Sequence, residues 1–334
     1  MPPQSHVRSR SPGRQPGNRP KPITKYADWQ TMGLAYQPMT HSSIPGTSKV
    51  KGTPGYEYDA YLNSKNWRNK LSVKNMSQEL VQVGLIDPAT RTALLDADGK
   101  PKSAFVFYRS GALSSETGKT TSGMSNWAPI ATQDVTGHWH DTSEGALFAN
   151  KWQMLAQRNV RLSDGTHASD ILRRIQQARA NPATKQVQAE IQKEINRKAS
   201  KLLSHQDQQL WRGITKTQVL IATLKQKLKN CPKLLETLIL TGNSTLLEGT
   251  DDSDPIYGAA VSPETPQGTE MIRDGSWKDR QISHNGRTIK PYNELGNAYE
   301  TIRNEYLRSS DPQTQALVKD ILSRERANFR PERI

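Results

Sequence analysis

Apolar residues in the middle of the chain recur at helical spacing. Leu210, Ile214, Thr217, Ile221, Leu224 and Leu228 fall at steps of 4, 3, 4, 3 and 4, which traces one stripe of an amphipathic helix and leaves its lysines mostly off the buried side. Residues 184–203 carry a weaker version, with Val187, Ile191, Ile195 and Leu202 facing a core and Lys193, Arg197 and Lys198 outward. Further helices are expected from Asp141 to about Gln157, over Pro232–Leu240, over Asn293–Arg308 and over Pro312–Arg326. Ala104–Tyr108 is short, apolar and aromatic and predicts a buried strand, with a second over Thr245–Glu248. Residues 56–103 predict a small helical prelude, Asp87 capping a helix that starts at Pro88 and Gly99-Lys100-Pro101 stopping it. The stretch 259–292, rich in Pro and Gly, predicts a long loop. The sum is a helix-rich α+β single domain with few strands, and no internal repeat is visible.

Charge sharpens this picture because it is uneven. The formal net charge is +14, of which residues 1–27 supply +6, residues 169–230 supply +9 and the rest −1. Residues 1–55 are full of Pro and Gly, with Arg8, Arg10, Arg14, Arg19, Lys21 and Lys25 ahead of the first acid, Asp28. Such a composition cannot bury enough apolar surface to offset ordering, so a disordered basic arm is expected there. It would serve as an electrostatic arm for phosphate backbones, a transport address or a solubilising tail. A helical block at +9 favours a polyanionic partner over a neutral metabolite.

Apolar runs such as Leu238-Ile239-Leu240 are far shorter than the roughly 20 residues a bilayer requires, so no membrane span is expected. Met1-Pro2-Pro3-Gln4 has no apolar h-region behind it, so no secretory signal is expected, and the expected location is cytoplasmic, with export as an effector left open. One cysteine, Cys231, excludes an intrachain disulfide, and with seven histidines it also excludes a Cys-rich zinc module.

Three motifs suggest chemistry and fail on inspection. Gly118-Lys119-Thr120 looks like a phosphate loop, but Leu113 stands where its first glycine belongs and no helix follows. His138-Trp139-His140 lacks a third ligand at metal spacing. Asp251-Asp252-Ser253-Asp254 lacks the downstream Gly and Glu of a calcium loop.

Three other segments act together. They are Phe107-Tyr108 followed by Ser125-Asn126-Trp127; Ser143-Glu144 with Lys151 seven residues after the glutamate; and Thr241-Gly242, Leu247-Glu248, Asp254-Pro255-Ile256-Tyr257-Gly258, Asn293-Glu294-Leu295-Gly296 and Arg303. In order and chemistry this set resembles the NADAR family of N-glycosidases, over residues 104–308. Trp211 matches a family tryptophan, although it and Phe107 are expected in the core on any reading. The chain departs from the pattern at Gly145, at Tyr257 where the family has tryptophan, and in the length of 259–292, whose Arg273, Trp277, Lys278, Arg280 and Arg287 would suit bases and phosphates. The division that follows is an arm over 1–55, a prelude over 56–103, the N-glycosidase domain over 104–308 and a C-terminal helix and tail over 309–334.

The resemblance implies cleavage of a ribose C1′–N bond through an oxocarbenium-like state, which calls for a carboxylate and an activated water or amine. Seven helical residues turn about 700°, so Glu144 and Lys151 share a face about 10 Å apart. Lys151 is then the amine that attacks C1′ or stabilises the opened sugar, provided that desolvation holds it neutral, and Glu144 the proton shuttle or cation stabiliser. Asp254 would hold the ribose or orient water, and Tyr257, Trp127 and Tyr108 would stack on the base. Ser125, Asn126, Gly258, Asn293 and Gly296 complete the implied substrate contacts. Without the resemblance, Asp141 and Glu144 read as a reciprocal helix cap, and Asn126 and Asn293 as caps. No metal or redox cofactor is implied. The implied substrates are ADP-ribose on guanine in nucleic acid, preferred for the basic charge, or phosphorylated riboflavin-biosynthesis intermediates. The rivals are a non-catalytic ADP-ribose or nucleic-acid binding protein, and a scaffold whose Glu144 and Asp254 face solvent.

Overall fold

The computed structural model describes residues 80–108, 123–128, 130–179, 188–212, 214–250, 254–324, 329 and 331–333. The basic arm, Gly118-Lys119-Thr120 and Asp251-Asp252-Ser253 lie outside them. Strand β2 (Ser103–Tyr108) organises the rest because Ala104, Phe105, Val106 and Phe107 are all buried, so both faces of its sheet need cover. It pairs antiparallel with β1 (Leu80–Gly84) and parallel with β5 (Thr245–Gly249), while β8 (Glu332–Arg333) adds in parallel to β1, giving the order β5-β2-β1-β8.

Alternation along the strands assigns the faces. Leu80, Phe105, Phe107 and Leu246 join the large helical core, whereas Val81, Val83, Ala104, Val106 and Leu247 join a second cluster with Ala259, Val261, Ile272 and Trp277. The large core is built by α1 (Ser143–Gln157), α2 (Ala168–Gln177), α3 (Gln188–Ser200), α4 (His205–Arg212), α5 (Ile214–Asn230), α6 (Pro232–Leu240), α8 (Glu294–Leu307) and α9 (Pro312–Arg324). A short pair, β3 (Thr132–Gln133) and β4 (Trp139–His140), leads into α1. The architecture is α+β, helix-rich and with few strands, and no described helix is long and apolar enough to cross a membrane.

Three expectations change. From residue 80 on, the helical prelude is instead a strand and a turn, because Leu80, Val81 and Val83 are needed in the sheet. There Asp87 accepts hydrogen bonds from the N–H of Ala89 (2.9 Å) and Thr90 (2.8 Å) and closes a tight turn rather than capping a helix. The long loop holds α7 (Pro266–Arg273), a 3₁₀ turn (Ser276–Asp279) and a hairpin of β6 (Ile282–His284) and β7 (Arg287–Ile289). Its Trp277 and Ile272 cover the sheet's second face, each contributing on the order of 2 kcal/mol by leaving water. The stripe from Leu210 to Leu228 crosses two helices: Leu224 and Leu228 are buried and Leu210 and Ile221 pack against the core, but Thr217 is exposed, and the buried face of α5 widens to take in Lys216, Leu220, Thr223 and Lys227, stepping by 4, 3 and 4. Likewise α3 buries Gln188, Gln192 and Ala199 rather than Ile191 and Ile195.

Helix α8 lies directly against β5. A Cβ on Gly296 would overlap the Leu246 carbonyl oxygen, a backbone atom that cannot retreat without opening the sheet. Gly296→Ala should therefore lower the urea midpoint, with a stability loss of about 3 kcal/mol, and an unchanged midpoint would contradict this packing.

Candidate active site

Helix α1 is buried nearly all round, which is how a lysine reaches the interior. Its N-cap is Thr142, whose Oγ1 accepts from Gly145 N at 3.2 Å, so the expected Asp141–Glu144 cap is corrected. The Glu144 N–H goes to the Asn126 carbonyl at 3.0 Å. Gly145 is the position where α3 crosses: a Cβ there would overlap Gln192, which is fixed by hydrogen bonds to His140 Nδ1 (2.8 Å) and the Ile175 carbonyl (3.0 Å).

Two turns further on, Lys151 is 6% exposed. Its Nζ donates to Ser200 Oγ at 2.6 Å and to Asn196 Oδ1 at 3.3 Å, and lies 5.2 and 5.6 Å from the ring centroids of Trp152 and Trp211. Among the described residues no carboxylate pairs with it. Burial, reinforced by the nearby cations Arg212 and Lys216, pushes its pKa down to about 7. Near neutral pH a substantial fraction of Lys151 is thus free amine.

The opposite wall comes from distant sequence. The turn Asp254–Gly258 is laced to the start of α8 by backbone hydrogen bonds: Tyr292 N to Pro255 O, Asn293 N to Gly258 O, Glu294 N to Ile256 O and Leu295 N to Tyr257 O. Asn293 holds that junction in the left-handed region (φ 50°), its side chain accepting from Glu248 N (3.0 Å) and donating to Leu246 O (2.8 Å). Asp254 Oδ1 accepts from Tyr257 N at 3.2 Å. Lys216 forms an ion pair with Glu294, and its Nζ stands 4.1 Å from the Tyr257 ring centroid. Burial lowers the Lys216 pKa, and the carboxylates of Glu294 and Asp254 partly offset it. The Tyr257 phenol is raised well above its usual value by burial and then by Glu294, Glu144, Asp254 and Glu248, so it stays a neutral donor.

Between these walls lies a cleft of about 820 Å³, lined by Lys151, Trp211, Lys216, Asp254, Tyr257 and Glu294 among others. Of the residues expected from sequence, Lys151, Asp254 and Tyr257 meet here. Glu144 does not wall the cleft: its carboxylate lies 3.9 Å from Lys193 Nζ, which in turn sits 4.5 Å from the Trp127 ring centroid. Ser125 and Asn126 are buried in structural roles. The Ser125 carbonyl accepts from Lys227 Nζ at 2.6 Å, and Asn126 Oδ1 accepts from Ser143 Oγ at 3.1 Å. Gly258, Asn293 and Gly296 are buried outside the cleft wall, Gly258 against the Thr250 side chain and the other two against the backbone of β5. Tyr108 ends β2 opposite Gly249, and its side chain lies outside the described residues.

Sequence reasoning missed Lys216, Arg212, Glu294, Asn196 and Ser200. The spacing of Lys216 and Lys227 in step with Leu220 and Thr223 was the available signal. Of the cations and aromatics in 259–292, Arg287 lines the cleft, Arg280 donates to the Ala260 carbonyl and Trp277 is core. The basic block is also less of a free face than its +9 suggests. Lys216 and Lys227 are buried, Arg173 pairs with Asp170, Arg197 and Lys198 with Glu194, and Lys225 with Glu305. His140 is a core residue, its Nε2 3.1 Å from Asp134 Oδ2. Burial opposes the Asp134 charge, but hydrogen bonds from His140, Gln176 and Thr136 outweigh it and hold that carboxyl at about 2.

Fold and cleft together define an α+β protein with a cation-rich cleft flanked by aromatic rings. No family model matches the chain, and no curated protein matches it.

Proposed function

We propose that the protein is an N-glycosidase-type hydrolase that cleaves a ribose C1′–N bond, with ADP-ribose joined to guanine in nucleic acid as its substrate class. The observation that carries this is Lys151, a buried amine with its pKa brought to about 7, on the wall of a cleft that also holds Asp254 and Glu294. As the C1′–N bond breaks, its electron pair leaves with the base nitrogen, which takes a proton from water. The Lys151 amine adds to C1′ and passes a proton to the hydroxide so formed, and a second water then hydrolyses the adduct and returns free amine and sugar. The carboxylate work expected of Glu144 passes in this reading to Asp254 and Glu294. Trp211 and Tyr257 offer rings to the base or the sugar. One observation favours phosphorylated riboflavin-biosynthesis intermediates as a second reading: several lysines and arginines of the basic block are buried or paired with carboxylates, which weakens the case for a nucleic-acid face.

The test is incubation with an oligonucleotide carrying ADP-ribosylated guanine and, separately, with a phosphorylated riboflavin precursor, followed by chromatography of the products. Release of ADP-ribose from the first is the expected result. Tight binding with no product from either substrate would sink the enzyme and leave a binding protein.

A further inference from the structure

The mouth of the cleft is chemically unlike its depth. At depth, Lys151 and Lys216 are 6% exposed and are held by α1, α3 and α8. At the mouth, α4 and the β6–β7 hairpin contribute Arg212, His205, His284, Asn285 and Arg287. Helix α4 has no fully buried residue, yet His205, Gln208 and Arg212, spaced by 3 and 4, turn one face to the cleft. Arg212 and Arg287 are both exposed, and no ion pair among the described residues ties either to a carboxylate. Tyr292, 55% exposed, lines the same cleft and leaves an aromatic ring at its rim.

Guanidinium groups match phosphate oxygens two at a time, and an exposed ring next to them suits a base. We propose that this mouth, built by α4 and the β6–β7 hairpin, is a nucleoside-diphosphate subsite, in which Arg212 and Arg287 hold the phosphates and Tyr292 stacks on the base. The subsite rests on the cleft being the ligand site of the hydrolase proposed above, and it assigns the reacting sugar to the depth and the anionic end of the ligand to the mouth.

Calorimetric titration of the full chain with ADP, with adenosine and with a short unmodified single-stranded oligonucleotide tests it. The double variant Arg212→Gln/Arg287→Gln should weaken ADP by about tenfold or more while adenosine stays within about threefold of wild type, and retained adenosine binding also reports a folded cleft. Tyr292→Ala should weaken ADP and adenosine alike. The proposal is overturned if the wild type binds no ADP at millimolar concentration, if the double variant binds ADP as the wild type does, or if adenosine is lost in parallel. It is also overturned if the arginine dependence appears with the oligonucleotide and not with ADP. Arginine-dependent ADP binding without any glycosidase turnover would support the subsite and remove the hydrolase; turnover with arginine-independent ADP binding would do the reverse.

Discussion

Lys151→Met should reduce glycosidase turnover by at least roughly a thousandfold while leaving the fold intact. Methionine keeps much of the volume of the lysine stem and removes a desolvated amine, and the groups around Nζ keep other partners: Asn196 Oδ1 still accepts from Trp152 Nε1 at 3.1 Å, and Ser200 Oγ still donates to the Asn196 carbonyl at 2.6 Å. Lys151→Arg should be equally inactive, since a guanidinium keeps the charge and cannot become a neutral nucleophile. In the wild type, kcat/KM should rise as pH passes through about 7, where the ammonium of the free protein loses its proton, and level off above it. Borohydride should trap a covalent adduct in the wild type and in neither variant. Substantial activity in Lys151→Arg would show that the residue acts by charge alone, and turnover without a trapped adduct would keep the hydrolase and reject the amine mechanism.

Stability should climb between about pH 7 and pH 9. Lys227 is fully buried, with Nζ donating to the Ser125 carbonyl, and burial brings its pKa down to about 7, as it does for Lys151. A lysine whose folded pKa lies below its unfolded value binds fewer protons when folded. The penalty for burying it is therefore complete below the folded pKa and disappears as pH rises towards the unfolded one. From pH 7 to 9 each of the two lysines should add about 2 kcal/mol to the unfolding free energy in urea. Above about pH 10 the gain should reverse. Burial raises the Cys231 thiol to about 11 and the Tyr257 and Tyr299 phenols well above their usual value, so these groups ionise first in the unfolded chain. Lys227→Met should halve the slope, and it should fold because both carbonyls that Lys227 serves keep a second donor: Tyr299 Oη on Met124 (2.9 Å) and Ala128 N on Ser125 (3.0 Å). A flat profile from pH 7 to 9 would mean that both amines are solvated.

Much of this was legible along the chain. The all-apolar run Ala104–Phe107 and the helical spacing from Pro232 to Leu240 each express local preferences that the packed structure also rewards, so their elements fell within a residue or two of expectation. Lys151 and Asp254 could be nominated because a motif names residue types in order. The segment 259–292 was not legible: its Pro and Gly signal turns, and nothing local says that Trp277 and Ile272 are needed on the second face of a distant sheet.

The sequence by itself determined the periods, the α+β class and the chemical types available to a site, because these depend on neighbours a few residues apart. Tertiary structure decided how far round α5 the buried face extended, taking Lys216 and Lys227 with it, that α3 rather than a carboxylate would hold Lys151, and that Glu144 would face Lys193 instead of the cleft. Those outcomes follow from which surfaces meet. A lysine's cost of desolvation and the resulting pKa are fixed by groups as far as 103 residues away, and no local pattern encodes them.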